Sequence, residues 1–89
     1  MNIKHRMMAK LEAALAPTTI EIEDESHLHA GHAGAREAGE THYRIKVASA
    51  SFSGKGRVER HRMVYALLAE EIAGGVHALA LQTKTPDEP

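Results

Sequence analysis

Four histidines are the residues of this chain best suited to binding a metal ion. His27, His29 and His32 lie in a segment interrupted by glycines, and His77 precedes a short alternating apolar stretch. Neutral imidazole nitrogens are common ligands of zinc, copper, iron and nickel. One interpretation is a metal site in which one or two of the three clustered histidines converge with His77. Because H-x-H-x-x-H is a weak pattern, a solvated loop and a structural His77 are the alternative.

A second group of candidate residues is basic and surrounds the start of a predicted helix. It comprises Lys55, Arg57, Arg60, His61 and Arg62. Basic side chains at a helix start oppose the helix dipole, so contact with a phosphate or an anionic partner is one interpretation. The alternative is a solvated helix face whose aliphatic stems cover apolar surface.

Composition narrows the classes of function. The 89 residues include no cysteine, which removes disulfides, thiol nucleophiles and a metal site made only of this chain's thiolates. The net charge is −1, so no overall positive field attracts nucleic acid or an anionic membrane. No apolar run approaches the roughly 18 residues of a membrane helix, and no signal segment is recognisable, so a cytoplasmic protein is expected. No set of nucleophile, base and orienting group is visible, so an enzyme is not expected.

Apolar residues spaced three and four apart predict two helices. The first extends from Ile3 to Leu15, with Asn2 as its N-cap and Pro17 ending it. The second is predicted as one continuous helix that ends at Gly74-Gly75, since glycine adopts the left-handed cap conformation without penalty. Its predicted buried residues are Val64, Leu67, Leu68 and Ile72.

Alternating residues predict three strands, over 19–24, 41–48 and 76–82. The outer positions are acidic on the first strand and basic on the second, which suits an antiparallel pair. The crossover from the second strand through the helix to the third should be right-handed and make those strands parallel. The predicted fold is therefore α+β, with a three-stranded mixed sheet and the helices packed on one face. We expect a single domain over 1–89 whose tail, 84–89, is flexible.

This topology brings the candidate ligands to one end of the sheet. The loop from Glu25 to Glu40 has 16 residues, which is long for a small domain and typical of functional or mobile loops. It contains His27, His29 and His32 and leads into the second strand. Since parallel strands start at the same end of a sheet, His77 and this loop should be neighbours. The convergence strengthens the metal interpretation and leaves the solvated loop as its alternative.

Six motifs together resemble the BolA family. They are Asp24-Glu25-Ser26, Glu40-Thr41-His42-Tyr43, Phe52-x-Gly54, Arg60-His61-Arg62-Met63-Val64-Tyr65, Leu68-x-Glu70-Glu71 and Val76-His77-Ala78-Leu79-Ala80. They follow the family's order and spacing from about Ile3 to Pro86, and the combination of RHR with VHAL is the specific part. The resemblance implies a class II KH-like fold, which agrees with the predicted order of helices and strands.

The resemblance also implies a partner and a cofactor. Such proteins share a [2Fe-2S] cluster with a monothiol glutaredoxin of the CGFS type and its glutathione. The family's C-terminal histidine falls on His77 and its loop histidine on His29, with His32 and His27 as alternates because this loop looks longer. Two imidazoles can replace two thiolates on one iron of such a cluster. A cysteine-free chain could supply that half, and the glutaredoxin cysteine and glutathione the sulfur half.

A second function is suggested by the KH-like fold and by the family's association with transcription. The chain would then be a nucleic-acid-binding regulator that uses the basic residues around Arg60. The turn Gly54-Lys55-Gly56 is not the GxxG clamp of RNA-binding KH domains, and one phenylalanine and two tyrosines offer little base stacking. Cluster sharing in iron–sulfur trafficking or iron homeostasis is therefore the leading prediction, with DNA as the alternative partner.

Overall fold

The structure, a computed structural model, describes residues 2–25, 42–76 and 78–88. Within them the order of elements is α1 Ile3–Leu15, β1 Thr19–Asp24, β2 His42–Ala48, α2 Arg57–Leu67, α3 Ala69–Ala73 and β3 Ala78–Lys84, with a 3-10 turn at Ala50–Phe52. The predicted α+β class is confirmed. No helix in these three ranges combines the length and apolar character that crossing a bilayer requires.

The three described strands form one mixed sheet in the order β1-β2-β3. β1 pairs antiparallel with β2, and β2 pairs parallel with β3, as predicted. Glu21 lies opposite Lys46, and Glu23 lies opposite Arg44, so opposite charges face each other across the antiparallel pair. This register also places every second residue of the strands on one shared inner face.

The core lies between that inner face and the helices. Its buried apolar residues are Met7, Leu11, Leu15, Ile22, Tyr43, Ile45, Val47, Phe52, Val64, Leu68 and Val76. Leu79 and Leu81 of β3 are half-buried and pack against this cluster. Ala78 and Ala80, which alternate with them along the strand, are exposed. The helices therefore cover one face of the sheet, and removal of these apolar side chains from water is the main stabilising term.

The predicted long second helix is two helices rather than one. Leu68 adopts φ −104° and ψ 17°, which interrupts the helical dihedrals between α2 and α3. Backbone hydrogen bonds still cross the break. Leu68 N–H donates to Val64 O, and Ile72 N–H donates to Leu68 O, each at 3.0 Å. Val64 and Leu68 are fully buried, while Leu67 and Ile72 are only half-buried. The break leaves both Leu68 and Glu71 directed into the interior, at 0% and 1% exposure.

The third strand starts and ends two residues later than the alternation predicts. Val76 is not part of β3, because its N–H donates to Glu71 O at 3.2 Å and so completes the turn after α3. At the other end, Thr83 and Lys84 pair with Val47 and Ala48. β2 extends far enough to pair with these two polar residues. Their own sequence pattern does not indicate that they belong to a strand.

The ends of α1 are set by local hydrogen bonds. Asn2 Oδ1 accepts a hydrogen bond from His5 N–H at 2.9 Å, which confirms the predicted N-cap. The helix ends at Ala16, which has a left-handed φ of 43°, just before Pro17. The buried hydroxyl of Ser49 donates to Leu15 O at 2.6 Å and joins this helix end to the end of β2.

Candidate functional site

The predicted metal ligands, His77, His29, His32 and His27, lie outside the described residues. The residues that flank them define the frame of the candidate site. Glu25 N–H donates to His42 O at 2.8 Å, so the two ends of the histidine-rich segment meet at one backbone hydrogen bond. Ala78, directly after His77, lies opposite His42 in the parallel β2–β3 pair. The prediction that β2 and β3 start at the same end of the sheet is therefore confirmed.

Charged side chains reinforce this end of the sheet. Arg44 Nε donates to Glu25 Oε2 at 3.0 Å, and this hydrogen bond raises the pKa of Arg44. The contact ties the exit of β1 to β2 beside the start of the histidine-rich segment. Within 2–25, 42–76 and 78–88, no three His, Cys, Asp or Glu side chains are grouped so that they could hold a metal ion. A metal site at this end therefore needs at least one ligand from the remaining residues.

The turn that leads to position 77 is closely held. Gly74 N–H donates to Glu70 O at 2.9 Å, and a Cβ at Gly74 would lie 3.2 Å from that same oxygen. Gly75 has a φ of +131°, which side-chain-bearing residues rarely adopt. Val76 is 4% exposed, and its N–H is bonded to Glu71 O. The two predicted glycines thus end α3, with the unusual backbone conformation at Gly75 rather than Gly74.

A buried carboxylate, Glu71, was not singled out from the sequence. Lys10 Nζ donates to its Oε1 at 3.0 Å, and Arg6 Nη2 lies 3.2 Å from its Oε2. Hydrogen bonding to Glu70 and then to Glu71 raises the pKa of Lys10, and the bond from Lys10 lowers the pKa of Glu70. The helical spacing points to a buried position, because Leu68 follows Val64 by four residues and Glu71 follows Leu68 by three, but it does not reveal the cations on α1 that pair with the charge.

Arg60, one of the predicted basic contact residues, is engaged within the fold. Its Nε donates to Lys55 O at 2.7 Å, and its Nη1 donates to Thr83 O at 3.3 Å and to Glu88 Oε1 at 2.7 Å. The guanidinium also lies 6.0 Å from the centroid of the Phe52 ring. The side chain is 13% exposed. Arg60 therefore links the start of α2 to β3 and to the chain beyond it.

The other four basic residues differ in solvent exposure. Arg57 and Arg62 are exposed, and Lys55 and His61 are half-buried. Lys55, Arg57, Arg60 and His61 line one open groove between the start of α2 and β3, but Arg62 does not. The buried Nε2 atom of His61 has no hydrogen-bond partner among the described residues. The structure thus brings together most of the predicted basic group. The guanidinium of Arg60 is already hydrogen-bonded within the fold.

The family model for BolA-like proteins matches residues 11–88. The chain belongs to the BolA-like protein family. A curated relative, chloroplastic BOLA1 of Arabidopsis thaliana, is 48% identical over 89 residues, covering 98% of this chain and 56% of the relative. BolA-like protein 1 of Mus musculus is 48% identical over 84 residues, covering 94% of this chain and 58% of the relative. This BolA-like chain thus spans little more than half the length of these relatives.

The fold agrees with solved structures of the family. The structure of BolA1 from Arabidopsis thaliana superposes with a TM-score of 0.87 at 42% identity, and covers 100% of this chain and 99% of that chain. The mixed sheet with helices on one face is therefore the BolA architecture. Because the Arabidopsis relative is named as chloroplastic, the cytoplasmic location expected for this BolA-like chain stays a prediction.

Proposed function

We propose that this chain is the partner of a monothiol CGFS glutaredoxin and shares a [2Fe-2S] cluster with it in iron–sulfur trafficking or iron homeostasis. The proposed ligands are His77 and one loop histidine, His29 first, with His32 and His27 as alternates. The observation that carries the proposal is the parallel β2–β3 register, which sets Ala78 opposite His42. His42 O in turn accepts from Glu25 N–H, so the described neighbours of both ligand positions share one end of the sheet.

The chemistry of the donor set supports the same proposal. Histidine is abundant and cysteine is absent, so this chain can offer imidazole nitrogens but no thiolates. When bound, the cluster would supply one-electron redox chemistry, with two imidazoles on one iron raising its potential. His77 and the loop histidine would hold that iron, while the glutaredoxin cysteine and glutathione would hold the other. The cluster would therefore be shared and not held by this chain alone.

Reconstitution with a monothiol glutaredoxin, glutathione, iron and sulfide tests the proposal. Electron paramagnetic resonance of the reduced complex should show a signal typical of mixed histidine and cysteine ligation. His77→Ala should abolish that signal and leave the circular dichroism of the apo chain unchanged. His5→Ala is the control and should keep the wild-type signal, because His5 is an exposed histidine on α1, outside the frame of the candidate site. A wild-type signal from His77→Ala would refute cluster sharing through this residue.

A nucleic-acid interface is the second candidate function. Arg57 and Arg62 are exposed and form no ion pair with the described residues. Free guanidinium groups of this kind bind phosphates well. Arg60 contributes less to such an interface than the sequence suggested, since its guanidinium is held by Glu88 and two backbone carbonyls.

A further inference from the structure

Glu71 is a charged residue in the core of the described structure. The residue is 1% exposed and its side chain is 0% exposed. The other buried polar residues among those described, Ser49 and Thr85, are uncharged. Burying a carboxylate is costly unless it is paired with cations and hydrogen-bonded. A charge at this position therefore requires dedicated partners, and α1 provides them.

The partners are two cations one helical turn apart on α1. Lys10 Nζ lies 3.0 Å from Oε1, where it donates a hydrogen bond, and 2.9 Å from Oε2. Arg6 Nη2 lies 3.2 Å from Oε2, and the contacts to this second oxygen are ionic without hydrogen-bond geometry. Glu70 shares Lys10 at 2.9 Å from the solvent side, with a side chain 77% exposed. Two cations and two carboxylates thus form a neutral network that fixes α3 against α1.

A buried ion pair often adds little net stability compared with an apolar pair, so its main consequence is geometric. The main chain of Glu71 connects this network to the residues that follow α3. Its carbonyl accepts the N–H of Val76, the last described residue before position 77. Beyond position 77, Ala78 is held by its pairing with β2. The two described neighbours of position 77 are therefore both held, Val76 by the main chain of Glu71 and Ala78 by β2.

We propose that Glu71 is a positioning residue for His77, with Arg6 and Lys10 of α1 holding it in place. The inference rests on the proposed function, in which His77 is a cluster ligand. Groups hydrogen-bonded to a metal ligand change affinity by about 10- to 100-fold when they are removed, and this range is the upper bound for a residue that acts through the main chain. The ion network that packs α3 against α1 would thereby hold the main chain that leads to this ligand.

The test compares Glu71→Gln with Glu70→Gln. Glutamine keeps the size of the side chain and removes its charge, and the control removes an equal charge from the exposed neighbour that shares Lys10. In the apo chain, Glu71→Gln should lower the hydrogen-exchange protection of the Val76 amide. In the reconstituted complex it should weaken cluster retention, by at most about 10- to 100-fold, and shift the g-values of the reduced cluster. Glu70→Gln leaves both cations on Glu71, so it should change each of these quantities clearly less than Glu71→Gln does.

Lys10→Gln is the second variant if Glu71→Gln fails to fold, since it leaves Glu71 paired with Arg6 and should shift the g-values in the same direction. Unchanged g-values and cluster retention in Glu71→Gln, in a preparation where His77→Ala abolishes the signal, would overturn the inference alone. If His77→Ala keeps the wild-type signal, the proposed function fails and the inference fails with it. A shift in the g-values separates positioning from general destabilisation, which would reduce the amount of complex without altering its spectrum.

Discussion

Arg60 Nη1 lies 2.7 Å from Glu88 Oε1, and this ion pair joins the start of α2 to the chain beyond β3. The same Glu88 oxygen accepts a hydrogen bond from Thr85 N–H at 2.6 Å, and Thr85 is 8% exposed. Residues predicted to be a flexible tail thus contribute a strand end, a buried residue and an ion pair. The contact also binds Arg60, which the sequence suggested as a contact for an external anionic partner, within the fold.

The Glu88 contacts predict a pH-dependent contribution to stability. The hydrogen bond from the Thr85 backbone, and then the one from Arg60, lower the pKa of Glu88. A lowered folded pKa means that the carboxylate stabilises the fold above its unfolded value, near about 4.3, and that this contribution disappears as the pH falls through the folded pKa. Glu88→Gln should therefore be less stable than wild type at neutral pH and equal to it in acid.

Urea denaturation of the two proteins between about pH 7 and pH 3 measures this difference. Asp87→Asn is the matched control, because the neighbouring Asp87 is exposed and forms no ion pair with a described residue. We expect its unfolding midpoint to match wild type at each pH. A Glu88→Gln midpoint equal to wild type at neutral pH would show that the ion pair does not stabilise the fold in solution.

Leu68 and Leu67 should differ in what their truncation costs. Leu68 is fully buried beside the break between α2 and α3, so Leu68→Ala should lower the free energy of unfolding by about 2–5 kcal/mol through lost transfer energy and a cavity. Leu67→Ala should cost clearly less, because Leu67 is half-buried. Denaturant titration of both variants decides the order. A larger loss for Leu67→Ala would mean that the helix face is assigned incorrectly.

The identity of the loop ligand is open to a direct test. If His29 is the loop ligand, His29→Ala should weaken or shift the signal of the reconstituted glutaredoxin complex. His32 lies three residues away among glycines and could substitute, so the double variant His29→Ala/His32→Ala should lose the signal. His27→Ala tests the remaining alternate in the same assay. A full signal from the double variant would move the assignment to His27 or exclude the loop.

Salt dependence tests the nucleic-acid alternative. Each phosphate contact to duplex DNA contributes about 0.9 to the slope of log affinity against log salt concentration. If exposed Arg57 and Arg62 contact phosphates, Arg57→Gln and Arg62→Gln should each reduce that slope by about 1. Arg60→Gln should instead lower the stability of the fold with little change in slope, because its guanidinium is bound within the fold. Absence of any complex at low salt would remove this alternative.

The sequence by itself determined the order of helices and strands, except for the break that divides the second helix, together with the strand orientations and the inner residues of the sheet. Met7 and Leu11 follow the apolar spacing of α1, and Tyr43 and Ile45 follow the alternation of β2; all four are at most 2% exposed. These features follow from local periodicity, because the burial of one face repeats every two residues in a strand and every three to four in a helix. The crossover rule then predicted that β2 and β3 are parallel and that both start at the same end of the sheet, as the pairing of His42 with Ala78 shows.

Only the tertiary structure decided the contacts that join distant segments. The engagement of Arg60 by Glu88 and the burial of Glu71 between Arg6 and Lys10 depend on partners 28 or more residues away. The break between α2 and α3 lies at Leu68, which is fully buried in the core. Charged side chains at such positions look like solvated surface in the sequence, since their pairing partners are not periodic neighbours. Whether a charge is exposed or buried is decided by which helix packs over it, and that follows from the assembled core.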